Sequence, residues 1–273
     1  MKTSPRPSVA AIVAARDSEA TIEAAIGSLL AQTIPLDEIV LVSDGSIDDT
    51  ATRSARLLGS RGIVIELPVS VGRGAARNLA AKSTDAELLL ICDADDVSTP
   101  TRLESLLAGI RANGAQIIGG QALTLTPKGR RYGRTRMPLD ANECRRLALA
   151  GLMPVVHPSC LIDHAAFDSV GGYEPTLARA QDLHLVMRMS LAGGRIANVP
   201  ETVLKYTYPR LISFHRYVEE QRWANVAREM METQPMPSPN LLRWISWTTR
   251  RLAREARESL LRPGETGTRE SEQ

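Results

Sequence analysis

Short, continuous apolar runs recur along the first half of the chain, at Val9–Ala15, Glu38–Ser43, Gly62–Leu67, Ala86–Cys92 and Ala115–Thr126. Runs of this length predict buried strands. Between them the period changes. Ile22, Ala25, Ile26, Leu29 and Leu30 within Glu19–Gln32 share one face of a helical repeat, which predicts a helix halted by Pro35. Helices are also expected over Asp48–Leu58, over Gly72–Ser83 with its alanine-rich face, and from Pro100 to Asn113-Gly114, capped by Ser98 or Thr99. Helices alternating with strands that are apolar throughout predict an α/β fold: a Rossmann-like, mostly parallel central sheet flanked by helices.

The second half is less regular. Pro127–Arg136 carries Lys128, Arg130, Arg131, Arg134 and Arg136 and reads as a turn or mobile loop. Helical patterns cover Asp140–Ala150 and Ala178–Ala192. A strand is expected over His157–Ile162, and two short ones, Arg195–Val199 and Val203–Tyr206, either side of Pro200. Leu211–Glu232 and Leu241–Leu261 are long helical patterns separated by a proline-rich connector, and Pro263–Gln273 is polar and expected to be disordered.

Composition narrows the function. A chain of 273 residues, 43% hydrophobic and 23% charged, suits one large globular domain or two small ones. Lys and Arg total 33 against 31 acidic residues, and aromatics are only 4%. Neither a basic footprint nor a stacking platform points to nucleic acid. Cys92, Cys144 and Cys160 are odd in number and too widely spaced for a zinc pattern, as in a reducing cytosol. The polar start resembles no signal peptide, and no stretch reaches the roughly 18 apolar residues of a membrane span. The expectation is a cytoplasmic protein, at most peripheral at the inner face of the membrane.

In such sheets ligands bind beyond the carboxyl ends of the strands. The residues there are Arg16-Asp17, Asp44-Gly45-Ser46, Ser70-Val71-Gly72 and Asp93-Ala94-Asp95-Asp96. The last is the strongest signal. Its carboxylates repel at close range, and a divalent cation shared with substrate phosphate oxygens removes the repulsion. A solvated acidic turn capping the next helix is the plain alternative. Asp44 can accept hydrogen bonds from a base or ribose, or serve only a strand-to-helix turn that Gly45 lets bend sharply. Gly72-Arg73-Gly74-Ala75-Ala76-Arg77 suggests close backbone approach and two cations for phosphate. Arg77 stands where a dinucleotide fingerprint wants its third glycine, and no P-loop exists. Farther on, Gly171-Gly172-Tyr173 precedes Gln181-Asp182. Asp182 can act as a general base, or be a helix-start carboxylate favoured by the dipole.

The order of these segments resembles glycosyltransferase family 2. VAAIVAARDSEATIEAAIGSLLAQT, EIVLVSDGSIDDT, VGRGAARNLAAKSTDAELLLICDADD and VGGYEPTLARAQDLHLVMRMSLAGGRIANVPE are similar to the family's successive motifs. The resemblance implies the GT-A fold and inverting transfer of a sugar from a nucleoside diphosphate sugar, with UDP the expected nucleotide. The acceptor hydroxyl would sit on a glycan, a lipid-linked or a small molecule. Carried over residue by residue, it places Ala15, Asp17, Asp44, Gly72, Arg77, Asp93 and Ala94 on the nucleotide sugar. Asp95 would ligate Mn2+ or Mg2+ at the diphosphate, with Asp96 close by. Asp182 would deprotonate the acceptor, and Gly172, Tyr173 and Gln181 would shape the acceptor side.

There are departures. Ser43 replaces a frequent Asp, Arg16-Asp17 replaces Tyr-Asn, and Gln181 replaces Glu. His184 stands where a second Asp often does and is expected to be structural. Glu219-Glu220-Gln221-Arg222-Trp223 lacks the first Gln of processive members, so a single transfer is expected. Two rival readings are a sugar nucleotidyltransferase, whose glycine-rich basic loop after the first strand is missing here, and a non-catalytic nucleotide- or glycan-binding relative, against which Asp44, Asp95 and Asp182 speak.

The resemblance divides the chain into a catalytic domain over 1–208, with a nucleotide-sugar half near 8–120 and an acceptor half near 121–208. A helical extension over 209–262 and a tail over 263–273 follow. In the extension, Leu241, Trp244, Ile245, Leu252 and Leu260 share one helix face amid arginines. Such a helix can lie on an anionic membrane interface, or pack on the catalytic domain or on a second copy in a homodimer.

Overall fold

A computed structural model describes residues 6–125, 131–207 and 214–231. Its first half runs β1 (Val9–Ala15), α1 (Ile22–Leu30), β2 (Glu38–Asp44), α2 (Thr50–Leu58), β3 (Gly62–Leu67), α3 (Arg73–Lys82), β4 (Leu88–Asp93), β5 (Val97–Ser98), α4 (Arg102–Asn113) and β6 (Ile117–Leu125). The second half adds β7 (Arg131–Arg134), α5 (Ala141–Leu149), β8 (Leu161–Asp163), α6 (His164–Ser169), α7 (Gln181–Leu191), β9 (Ile196–Thr207) and α8 (Phe214–Met230).

Successive side chains of a strand point to opposite faces, and in the central strands both sets are apolar, so both faces are covered. Val9, Ala11 and Val13 of β1 and Leu88 and Leu90 of β4 join one core, closed by α1, α2 and α4. Ile12, Leu89 and Ile91 join another, closed by α3, α5 and α7. Each fully buried Leu or Ile contributes about 1.5–3 kcal/mol. The small Ala76 and Ala80 of α3 face this second core.

The sheet order is β3-β2-β1-β4-β8-β6-β9-β5, with β7 on β6. β3, β2, β1 and β4 are parallel. β8 then enters antiparallel to both β4 and β6, so the sheet is mixed. Ala15 lies beside Ser43 and Ala14 beside Asp93. The carboxyl tips of β1, β2 and β4 therefore end together, which is what assembles a site from distant segments.

Several local expectations are corrected. α1 starts at Ile22 rather than Glu19, preceded by a single turn in which Ser18 O accepts from the Thr21 and Ile22 amides. α4 starts at Arg102 rather than Pro100, because Ser98 pairs with Leu204 across β5–β9 and Thr99 N–H donates to Val203 O. Neither hydroxyl caps the helix: Ser98 Oγ accepts from the Arg102 guanidinium at 3.0 Å and Thr99 Oγ1 donates to Thr202 O at 3.3 Å. His157–Ile162 is not one strand: Pro158 sits in a 3-10 turn, His157–Ser159, ahead of β8. The short α6, capped by Asp163 accepting from Ala166 N–H at 2.7 Å, follows at once. The two strands expected around Pro200 are one. Between the pairs Gly119–Asn198 and Gln121–Thr202 the register of β9 slips, and at a bulge Pro200 needs no donor. Arg131–Arg134 form a strand antiparallel to β6, not a loop, while Lys128 and Arg130 lie outside the described residues. The helix expected over Leu211–Glu232 is α8. Its buried Arg228 donates from Nε to Gly151 O at 3.1 Å. Leu241–Leu261 and the polar tail lie outside the described residues. No described helix is long and apolar enough to cross a membrane.

Candidate active site

At the tip of β2, Asp44 is buried and fully engaged. Its carboxylate accepts from Ser70 Oγ at 2.8 Å, Val71 N–H at 2.6 Å and Gly72 N–H at 3.1 Å. It thus fixes the loop leading into α3, where Gly72 has φ +92°. A Cβ on Gly45 would lie 2.4 Å from Ser70 N, so only glycine lets the two loops meet. At the tip of β1, exposed Asp17 accepts from Ile47 N–H at 3.0 Å, and its own amide donates to Ser46 Oγ at 3.2 Å. Ala15 is buried beneath. Ser43, which replaces a frequent acid, donates to Ser46 Oγ at 2.9 Å.

The tip of β4 carries the acidic turn. Ligand oxygens of Asp93, Asp95 and Asp96 all lie within 4.8 Å of one another. Asp93 pairs with Arg77 of α3, an arginine only 2% exposed. Burial works against the Asp93 carboxylate, but Arg77, Arg73 and His157 bring its pKa below the ordinary value. Burial also opposes charge on Arg77, yet Asp93, Tyr173 and Asp182 raise its pKa. Asp95 is the most exposed of the three, yet the partial desolvation it suffers, followed by the charge of Asp93, raises its pKa. Asp96 is buried, and neither carboxylate oxygen has a hydrogen-bond partner among the described residues. Burial, Asp93 and Asp95 push it up to about 9. Ala94 packs inward between these acids. Behind the turn, buried Arg102 of α4 donates to Ile91 O at 2.7 Å, Pro158 O at 2.8 Å and Ser98 Oγ at 3.0 Å, bracing the end of β4.

The second half meets this turn through Tyr173. Gly171 and Gly172 have φ +82° and +68°. A Cβ on Gly172 would lie 2.6 Å from Asn78 Oδ1. Arg188 of α7 donates to the carbonyls of Val170 and Gly172, tying the turn to that helix. The Tyr173 hydroxyl meets His157 Nε2 at 2.9 Å. Burial, followed by Arg77, pushes His157 down to about 4. Gln181 is buried at the start of α7, beside Gly74 of α3. Asp182 is half-buried in the first turn of α7, close enough to act electrostatically on Arg77, His157 and Tyr173. Ala180, just before it, has φ +60°, an uncommon conformation for a residue with a Cβ. His184 is buried on the same helix, where burial lowers its pKa.

The structure thus brings Arg77, Asp93, Asp95, Asp96, Tyr173 and Asp182 into one neighbourhood. Asp17 and Asp44 stand at the adjoining tips, occupied with the backbone of two loops. His157 and Arg102 were not singled out by sequence reasoning. Both act through tertiary contacts that no local pattern marks.

The family description "Glycosyl transferase family 2" matches residues 10–171. The chain belongs to glycosyltransferase family 2. It is 26% identical over 194 residues to the amylovoran biosynthesis glycosyltransferase AmsE of Erwinia amylovora, covering 70% of this chain and 71% of that one. It is 32% identical over 201 residues to the succinoglycan biosynthesis protein ExoU of Rhizobium meliloti (strain 1021), covering 68% of this chain and 58% of that one. The glycosyltransferase therefore spans less than two thirds of the second relative. Among solved structures, the mannosyltransferase PcManGT from Pyrobaculum calidifontis, in complex with GDP-Man and Mn2+, aligns with a TM-score of 0.66 at 18% identity. That alignment covers 97% of this chain and 77% of PcManGT. The fold is GT-A, and the chain is an enzyme, a glycosyltransferase.

Proposed function

We propose that this glycosyltransferase moves a sugar from a nucleoside diphosphate sugar to an acceptor hydroxyl in a single, inverting, cation-dependent step. The observation that carries the reading is the convergence of Asp93, Asp95 and Asp96 at the tip of β4, in a family 2 fold. The set offers only hard oxygen ligands, which suits Mn2+ or Mg2+. The two oxygens of buried Asp96, without a hydrogen-bond partner among the described residues, fit the same conclusion. Asp95 and Asp96 would hold the cation, Asp93 being tied to Arg77. Bound there, it would supply Lewis-acid neutralisation of the diphosphate.

The remaining work falls to the chain's own residues. Asp17 and Asp44 hold the loops against which the nucleotide lies, with Ala15, Gly72 and Ala94 allowing close approach. Asp182, facing this group from α7, accepts the acceptor hydroxyl's proton as that oxygen attacks the anomeric carbon. Gly172, Tyr173 and Gln181, all buried, would shape the acceptor side from beneath. UDP is the proposed nucleotide, and the GDP-Man bound by PcManGT puts guanine into the same test. Residues 1–208 would form the catalytic unit. Residues 241–262 would either meet a membrane bearing a lipid-linked acceptor or pack within the chain or a dimer, readings that sedimentation with anionic liposomes separates.

The test is a panel of UDP- and GDP-sugars incubated with the full chain in Mn2+ or in chelator, reading release of the nucleoside diphosphate as water takes the sugar in place of the acceptor hydroxyl. Release from one donor class in Mn2+ alone is expected. Release insensitive to chelator, or from no donor, would overturn the proposal.

A further inference from the structure

Arg77 is 2% exposed, and its Nε has no hydrogen-bond partner among the described residues. What holds the guanidinium is Asp93 on one side and the Tyr173 ring on the other, its carbon 5.6 Å from the ring centroid. That is within cation–π range. The two supports come from different halves: Asp93 from the acidic turn, Tyr173 from the loop before α7. Tyr173 is itself fixed on every side. Asn78 holds its backbone, Phe167 meets its ring at 5.3 Å between centroids, and His157 Nε2 lies 2.9 Å from its hydroxyl. A buried tyrosine hydroxyl needs such a partner, and here His157 supplies it.

We propose that Tyr173, with its hydroxyl held by His157, is a positioning residue for Arg77. It keeps the guanidinium on Asp93, so that the acceptor half sets how firmly the donor half grips a nucleoside diphosphate and its cation. The inference rests on the donor reading above. It assigns His157 a part in donor binding, although His157 lies on the turn before β8 and pairs with Tyr173 rather than with the acidic turn.

The experiment is calorimetric titration of Mn2+ with UDP, and of Mn2+ with GDP, into the full chain and its variants, each checked for a cooperative melt. Tyr173→Phe and His157→Ala should each weaken nucleotide binding about fivefold, the loss of one hydrogen bond. The double variant should be no weaker than either single, because both break the same bond. His157→Gln, whose amide nitrogen can take the place of Nε2, should bind within about twofold of the parent. Arg77→Lys should lose more than either, since an ammonium lacks the planar fork. Lower melting temperatures with unchanged nucleotide affinity would reduce Tyr173 and His157 to packing and overturn the inference. If the parent chain itself bound neither nucleotide, the donor reading beneath it would fall first.

Discussion

Asn78 and Tyr173 exchange two hydrogen bonds: Asn78 Nδ2 donates to Tyr173 O at 2.7 Å, and Tyr173 N–H donates to Asn78 Oδ1 at 2.8 Å. One side chain on α3 therefore satisfies both backbone groups of a residue ninety-five positions later. It docks the acceptor-side loop onto the helix that carries Arg77.

Removing that clamp should show as lost stability. Asn78→Ala deletes two partly buried bonds, so a loss of about 2 kcal/mol is expected. Asn78→Asp keeps the acceptor but sets a carboxylate oxygen against Tyr173 O, and should lose at least as much as alanine. Urea midpoints of the three chains give the order.

Glycine is required at 172 for two reasons and at 114 for one. Both have positive φ, but a Cβ at 172 would strike Asn78 and Phe167, whereas one at 114 meets nothing within 4 Å. Gly172→Ala should destabilise clearly more than Gly114→Ala, whose cost is the left-handed conformation alone, about 1–2 kcal/mol. Comparable melting temperatures for the two would contradict the docking described here.

The central strands were legible because both their faces are buried. A run such as Val9–Ala15 can be read without knowing what covers it, and β1 has the expected bounds. β3 also keeps the bounds Gly62–Leu67, but it is an edge strand and half-exposed rather than buried. β9 was not legible: Pro200 looks like a break, and only pairing with β6 makes it a bulge. The acidic turn was visible as a motif, but the commitment of Asp93 to Arg77 needed the sheet to set β4 next to β1, on which α3 packs. Asp44 was visible as a strand-tip acid, while its three loop contacts depend on where Ser70–Gly72 returns.

Asp96 should give stability an unusual pH dependence. Its folded pKa of about 9 lies above the unfolded value of 3.8. The folded chain then holds a proton that the unfolded chain has lost, so this group's contribution declines as pH rises between those values. Without cation, Asp96→Asn should gain stability over the parent from pH 5 to pH 8. Added Mn2+ should narrow the gap, because it binds the ionised carboxylate. A gap independent of pH in urea titrations would refute this.

Asp182→Asn preserves shape and removes basicity. Donor affinity should stay within about twofold, while turnover falls at least about a hundredfold, the low end of general-base contributions. A collapse of donor affinity with normal turnover of bound donor would make Asp182 a binding residue.

The most direct measurement is calorimetric binding of UDP and GDP to the parent chain and to Asp95→Ala, each in Mn2+ and in chelator. The account predicts that the parent binds one of the two nucleotides in Mn2+ only, and that Asp95→Ala binds neither under any condition while melting no lower than the parent. Equal nucleotide affinity for both chains, or for the parent with and without cation, would contradict it.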